Sequence, residues 1–120
     1  MEKVIIILQL IVAAGIFNVW VLRFNKVSVY RGRSAKSMPE EFAAYGLPPW
    51  FMVGIGILKL GSAVALIAGL WLPWLTQPAA LVLAALMVGA VAMHFKVKDP
   101  LTKWIPAFVI LLLCLLIVLL

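Results

Sequence analysis

Four long apolar stretches dominate the chain, and most charged positions fall between them. The stretches cover residues 4–22, 50–72, 78–95 and 104–120. A helix of about 20 apolar residues crosses the hydrocarbon layer of a bilayer, and one of about 17 crosses it with little tilt. The pattern therefore predicts an all-α fold, an integral membrane four-helix bundle that forms one transmembrane domain over residues 1–120.

The connection between the first two spans carries the signals of a short helix of its own. Residues 37–40 (SMPE) have the S-x-x-E form of a capping box, with a proline near the helix start. Met38, Phe42 and Tyr45 follow on one helix face, and Gly46 before a proline pair can end the helix. We expect a short amphipathic interfacial helix between spans 1 and 2 that covers one end of the bundle, with a gating or partner-binding role as the alternative.

The composition fits a membrane protein and gives its expected orientation. Of 120 residues, 67% are hydrophobic and 12% charged, against about 25% charged in soluble domains. Most basic residues lie in the first and third connections: Arg23, Lys26, Arg31, Arg33, Lys36, Lys96, Lys98 and Lys103. The positive-inside rule places these connections in the cytoplasm and both termini outside, as in a bacterial inner (plasma) membrane. Since no basic run is interleaved with aromatics, we expect the lipid bilayer and not nucleic acid as a partner.

The chain offers no set of residues that would carry catalysis by itself. Its single cysteine, Cys114, lies in an apolar run, which excludes an intrachain disulfide, a CxxC pair and a cysteine metal cluster. Its single histidine, His94, excludes a bis-histidine haem within one subunit. We therefore expect no catalytic or metal-binding residues, no enzyme acting alone and no bound cofactor. A quinone is left open, and a haem held by His94 and either Met93 or Met87 is a weaker alternative.

Lys59 is the most informative residue, because it is the only charge in the second apolar stretch. It lies about 13 Å along the helix from Trp50, where an ammonium costs at least ~2.5–3.5 kcal/mol. Three arrangements are open: the side chain snorkels to the interface, is neutralised by burial, or faces a polar cavity. In the last case it would meet Glu40, Asn18, or an acidic or carbonyl group of a ligand.

Three further polar residues complete the candidate ligand-binding set with Lys59: Ser62, Asn18 and His94. Ser62 lies one turn from Lys59, Asn18 lies near the same bundle end, and His94 ends the third span. Interhelical hydrogen bonding would also explain Asn18, and an interfacial position would explain His94 without a ligand or a proton-handling role. Gln9 points about 180° away from Asn18, so we do not expect it in the same site.

Small residues and tryptophans predict which helix surfaces meet each other and which meet the membrane interface. Small residues at helical spacing mark close contacts between membrane helices. The second span carries two such stripes, one of Gly54, Gly61, Ala65 and Ala68, and one on the opposite face, where Gly56 and Ala63 flank Lys59 and Ser62. A third stripe lies on the third span, at Ala85, Gly89 and Ala92. Tryptophans mark span ends, as in an aromatic belt, at Trp20, Trp50, Trp71, Trp74 and Trp104. We expect all three stripes to face other helices.

Motifs between residues 40 and 100 resemble the DoxX-like family of small membrane proteins. They are residues 45–51 (YGLPPWF), residues 56–61 (GILKLG), and residues 90–94 (AVAMH) followed by Asp99 and Pro100, which resemble the family's third-span ending. The resemblance implies four helices and a range of roles. The family name comes from a subunit of an archaeal thiosulfate:quinone oxidoreductase, some members accompany bacterial redox or detoxification complexes, and a metazoan relative is a chaperone for acetylcholine receptors.

Three functions fit these observations. The first is a binding or accessory protein that holds a lipid- or quinone-like small molecule or a partner membrane protein. The alternative is a quinone-linked membrane subunit of an oxidoreductase complex. A small transporter ranks third, because the first span has no acid and Lys59 would repel cations. Many family members carry an acidic residue where this chain has Lys59, so their roles do not transfer to it. A homo-oligomer is also left open.

Overall fold

Among the residues that the computed structural model describes, four helices are long and apolar enough to cross a membrane, which confirms the predicted all-α membrane bundle. The structure describes residues 2–24 and 35–120, so the predictions on Lys26, Arg31 and Arg33 lie outside the described residues. The elements are, in order, α1 (Glu2–Phe17) with a π-helical extension (Asn18–Leu22), α2 (Met38–Ala44), α3 (Pro49–Ala68), a 3₁₀ turn (Pro73–Leu75), α4 (Thr76–Lys96) and α5 (Leu101–Leu119).

The four long helices form a ring in which α1 and α4 each pack against α3 and α5. Neighbours run antiparallel, so the first and third connections lie at one end of the bundle and the connection from α3 to α4 at the other. The largest fully buried side chains come one from each long helix, at Val12, Leu66, Leu83 and Cys114. Cys114 is therefore a small buried core residue.

Hydrogen bonds tie the bundle together at the end that carries the connection from α3 to α4. The side-chain amide of Gln9 donates to the carbonyl of Leu66 at 2.9 Å and to the hydroxyl of Thr76 at 3.1 Å. Gln9 is buried. It therefore serves interhelical packing and lies apart from Asn18, as the helix geometry predicts.

The second span ends four residues earlier than the apolar pattern predicts, at Ala68 instead of residue 72. Gly69 follows at a crowded junction, where a Cβ atom would lie 3.1 Å from the amide nitrogen of Gln9 and would collide with the Thr76 hydroxyl. Pro73 then holds Leu72 outside the helical region, at φ −119° and ψ 81°. The apolar stretch therefore continues past the helix end into the turn.

The short helix α2 begins and ends at the residues that carry its sequence signals. Ser37 caps it by accepting a hydrogen bond from the backbone N–H of Glu40 at 3.4 Å. At the other end the Leu47 N–H donates to the Phe42 carbonyl at 2.9 Å, and Gly46 adopts φ +80°. This is a Schellman motif, in which glycine tolerates the left-handed conformation.

The apolar face of α2 covers the end of the bundle. Met38, Phe42 and Tyr45 are all buried, which confirms the predicted face. The helix packs against α3. It therefore lies across the end of the bundle that carries the first and third connections.

Most residues of the stripe that contains Gly54 and of the stripe on α4 face outward, so the predicted helix contacts at these two stripes are wrong. A Cβ atom on Gly54, Gly61 or Gly89 would have nothing within 4 Å. Ala85 and Ala92 are exposed. Small residues also suit a lipid-facing surface, so a stripe of them does not by itself decide which face is packed.

The predicted stripe of Gly56 and Ala63 beside Lys59 is confirmed, because both residues are buried and the close contact on α3 occurs at Gly56. The ring of Trp20 packs onto this glycine, and a Cβ atom there would lie 2.8 Å from Cζ3 of the ring. Trp20 is only 7% exposed, so its predicted place in an aromatic belt is wrong. The tryptophans whose side chains are largely exposed, as a belt requires, are Trp50, Trp71 and Trp74.

Candidate ligand-binding cavity

A cavity of about 950 Å³ occupies the half of the bundle nearest the first and third connections. All five helices contribute to its wall. Most of the wall is apolar, and the polar side chains in it are Asn18, Arg23, Glu41, Tyr45, Lys59, His94 and Lys103. An apolar cavity of this size with a few polar groups is typical of a small-molecule site.

Lys59 lies in the cavity wall on α3 and does not face lipid. Its side chain is 9% exposed, and its Nζ lies 5.2 Å from the centroid of the Trp20 ring. This cation–π geometry contributes about 0.5–2 kcal/mol. Gly56, almost one turn before Lys59, leaves the space that the ring occupies. A glycine and a tryptophan thus hold the ammonium in place.

Glu41 of α2 is the acidic residue whose charge acts on Lys59. The sequence interpretation named Glu40, which is exposed and accepts a hydrogen bond from the Ser37 hydroxyl at 3.3 Å. The described contacts of the Lys59 ammonium are the face of the Trp20 ring and the charge of Glu41. Its ammonium therefore retains the capacity to donate to a bound molecule.

A chain of hydrogen bonds runs through Tyr45 and His94 at the cavity wall. The Tyr45 hydroxyl donates to Oε1 of Glu41 at 2.6 Å and lies 3.4 Å from Nε2 of His94. Nδ1 of His94 lies 2.7 Å from Oδ2 of Asp99. Lys96 donates to the Tyr45 carbonyl at 2.8 Å, which fixes the end of α2 over α4. The arrangement links two carboxylates through a phenol and an imidazole, groups that can pass protons.

The structure brings together three of the four predicted site residues. Lys59, Asn18 and His94 all line the cavity, from α3, the π-helical extension and α4 respectively. Ser62 is half-buried and is not among the described residues that line it. The ligand-binding role of all four stays a prediction.

The sequence of the whole bundle matches a known family. The model of the DoxX-like family matches residues 7–117. The chain belongs to the DoxX-like family. This DoxX-like chain is similar to the uncharacterised protein YdgD of Bacillus subtilis (strain 168), with 30% identity over 80 residues that cover 66% of this chain and 70% of the relative. No solved structure matches it.

The motifs that carry the DoxX-like resemblance supply three of the polar side chains of the cavity. Tyr45 comes from YGLPPWF, Lys59 from GILKLG and His94 from AVAMH, and all three line the wall. Asp99, which follows the last motif, is the hydrogen-bond partner of His94. The motifs of the resemblance therefore contribute Tyr45, Lys59 and His94 to the cavity wall.

Sequence reasoning missed several parts of this DoxX-like site. Glu41 lies four residues before Tyr45, so helix spacing alone could have placed these two side chains together. Pro106 lines the cavity from inside α5, and a proline within a membrane helix is a readable signal of an irregular backbone. The π-helical turn at Asn18–Leu22 has no known sequence signal, although such turns are frequent at functional sites.

Proposed function

We propose that this DoxX-like membrane protein binds a hydrophobic, lipid- or quinone-like ligand and holds the ligand's polar head against Lys59. The observation that carries this proposal is a buried lysine in the wall of an apolar cavity, with its ammonium over the face of an aromatic ring. A charge buried at this depth is costly. An oxygen atom of a ligand would offset that cost.

The size and charge of the cavity support a small ligand with a partly negative head. Three basic side chains line it, Arg23, Lys59 and Lys103, against the carboxylate of Glu41. A carboxylate, phosphate or carbonyl group complements this balance. A transmembrane helix is about 10 Å across and does not fit a cavity of about 950 Å³ inside the bundle, so we favour a small molecule over a partner protein.

A quinone-linked subunit of an oxidoreductase complex is the second candidate function. The observation that favours it is the hydrogen-bonded chain of Tyr45, His94 and Asp99 beside the cavity. A quinone takes up protons when it is reduced, and such a chain could deliver them. Electrons would come from a partner subunit, because this chain carries a single cysteine and a single histidine.

The test is to purify the protein from its native membranes in mild detergent and to identify the co-purified small molecules by mass spectrometry. Lys59→Met should lower occupancy about 10- to 100-fold, since a hydrogen bond to a charged group contributes about 1.5–3 kcal/mol. Lys36→Met is the matched control, because it removes an exposed lysine that lies outside the cavity wall. Equal occupancy in the two variants, or no bound molecule in the natural protein, would contradict the proposal. A bound quinone would favour the second candidate.

The orientation in the membrane is a further part of the proposal. The basic residues Arg23, Lys96, Lys98 and Lys103 lie at the bundle end that carries the cavity, which the positive-inside rule assigns to the cytoplasm. Alkaline phosphatase fused after Leu120 should then be active, because this enzyme folds outside the cytoplasm. An inactive fusion whose fluorescent-protein counterpart is bright would reverse the assignment.

A further inference from the structure

The cavity wall passes round one flank of α4. His94 and Ala85 both line the cavity, and they are nine residues apart on the same helix. At 3.6 residues per turn, their side chains point in directions about 180° apart. A single wall that contains both residues must therefore curve from the buried side of α4 to its opposite side.

That opposite side of α4 forms part of the outer surface of the bundle. Leu81 and Val88, which share it with Ala85, are 51% and 56% exposed. Gly89 also lines the cavity, and a Cβ atom on it would have nothing within 4 Å. The cavity therefore continues from the buried ammonium of Lys59 to the lateral surface over Ala85 and Gly89.

This opening lies at the depth of the hydrocarbon layer and at nearly the level of the ammonium. Gly89 is seven residues from the end of α4 at Lys96, a rise of about 10 Å. Lys59 is ten residues from the start of α3 at Pro49, a rise of about 15 Å from the same bundle end. At these depths the groove faces acyl chains and not water.

We propose that the ligand is a membrane amphiphile whose hydrocarbon chain leaves the cavity sideways, over Ala85 and Gly89, and that it is loaded from the bilayer through this opening. The inference rests on the proposed function, because it takes Lys59 as the seat of the polar head. The small side chains leave a groove on α4, and an alkyl chain is the group that fills an apolar groove at this depth. The polar head of the ligand would remain at the Lys59 ammonium, while the end of its hydrocarbon chain stays among the lipid acyl chains.

The test uses a long-chain fatty acid that carries a photoactivatable diazirine in its alkyl chain, with the protein in lipid vesicles. Cross-linked peptides are mapped by mass spectrometry in the natural protein, in Lys59→Met, in Gly89→Trp and in Gly61→Trp. Gly61 is the matched control, because it too is an exposed glycine with nothing within 4 Å of a Cβ atom, but it does not line the cavity. Gly89→Leu repeats the comparison if the tryptophan variant is not monodisperse.

The proposal predicts cross-links on the segment around residues 85–89 that depend on Lys59. These cross-links should fall several-fold in Gly89→Trp and stay unchanged in Gly61→Trp. Labelling that depends on Lys59 but is equal in the two tryptophan variants would overturn the lateral opening and leave the proposed function intact. Labelling that does not depend on Lys59 would overturn both.

Discussion

Replacing Gly56 with alanine tests whether the Trp20 ring is confined where the structure places it. The new Cβ atom would lie 2.8 Å from Cζ3 and 3.0 Å from Cε3 of the ring, whereas carbon atoms in contact are about 3.5–4.0 Å apart. The ring has little room to move, because Phe24 and Phe42 flank it at centroid distances of 6.0 and 5.8 Å. Any shift of the ring also disturbs its contact with Lys59.

The size of the effect follows from a comparison with Gly54→Ala on the same helix. Both substitutions gain about 0.5–1 kcal/mol from the helix preference of alanine over glycine, and this gain cancels in the comparison. Gly54 has nothing within 4 Å of a Cβ atom, whereas alanine at Gly56 overpacks the core, at a cost of about 1–3 kcal/mol. The Gly56→Ala variant should therefore be about 1–3 kcal/mol less stable than the Gly54→Ala variant.

The free energy of unfolding can be measured by titrating the protein from mild detergent into SDS and following the helix signal by circular dichroism. Ligand occupancy in the same samples should be lower for Gly56→Ala than for Gly54→Ala, because the ammonium has lost its support. Equal unfolding free energies in the two variants would refute the argument that the ring depends on the gap at Gly56.

Three further predictions concern other parts of the bundle. Gln9→Leu removes two hydrogen bonds at the end away from the cavity, so the free energy of unfolding should fall by about 1–2 kcal/mol with ligand occupancy unchanged; a parallel loss of ligand would contradict this separation. Tyr45→Phe deletes the hydroxyl that contacts Glu41 and His94, so the free energy of unfolding in the same titration should fall by about 1–2 kcal/mol. An unchanged free energy of unfolding would contradict these hydrogen bonds. Gly46→Ala places a side chain at φ +80°, at a cost of about 1–2 kcal/mol, so amide hydrogen exchange should speed up in α2 and not in the long helices.

The parts of the fold that depend on local physics were predictable from the sequence. Four spans follow from the length of the apolar stretches. A helix hydrogen-bonds every backbone group of about 20 consecutive apolar residues inside the bilayer, and few other structures do so. The helix α2 follows from the Ser37 cap, the Gly46 terminator and the apolar spacing between them. The cavity end of the bundle was also expected to hold Lys59, Asn18 and His94 near one another, because all three lie toward the same end of their spans.

The remaining parts depend on which faces meet, and a single sequence does not determine that. From the sequence, Trp20 is equally compatible with a position at the membrane interface. Its contact with Gly56 in the structure is what positions its ring beside the Lys59 ammonium. Glycines were expected at helix contacts, yet Gly54 and Gly61 face outward, because one large ring decides the packed face of α3. The volume of the cavity likewise depends on how the five helices pack against one another.

The most direct test of the Lys59 site is a solid-state NMR distance between its side-chain nitrogen and the head group of the molecule that co-purifies with the protein. The protein carries ¹⁵N-labelled lysine and is loaded with the identified molecule labelled with ¹³C at its polar head, and the Lys59→Met variant assigns the signal. The proposed site predicts a dipolar coupling equivalent to about 4 Å, as a direct N–H···O contact requires. A bound head group that shows no coupling removed by Lys59→Met would contradict the role of Lys59 as the seat of the ligand.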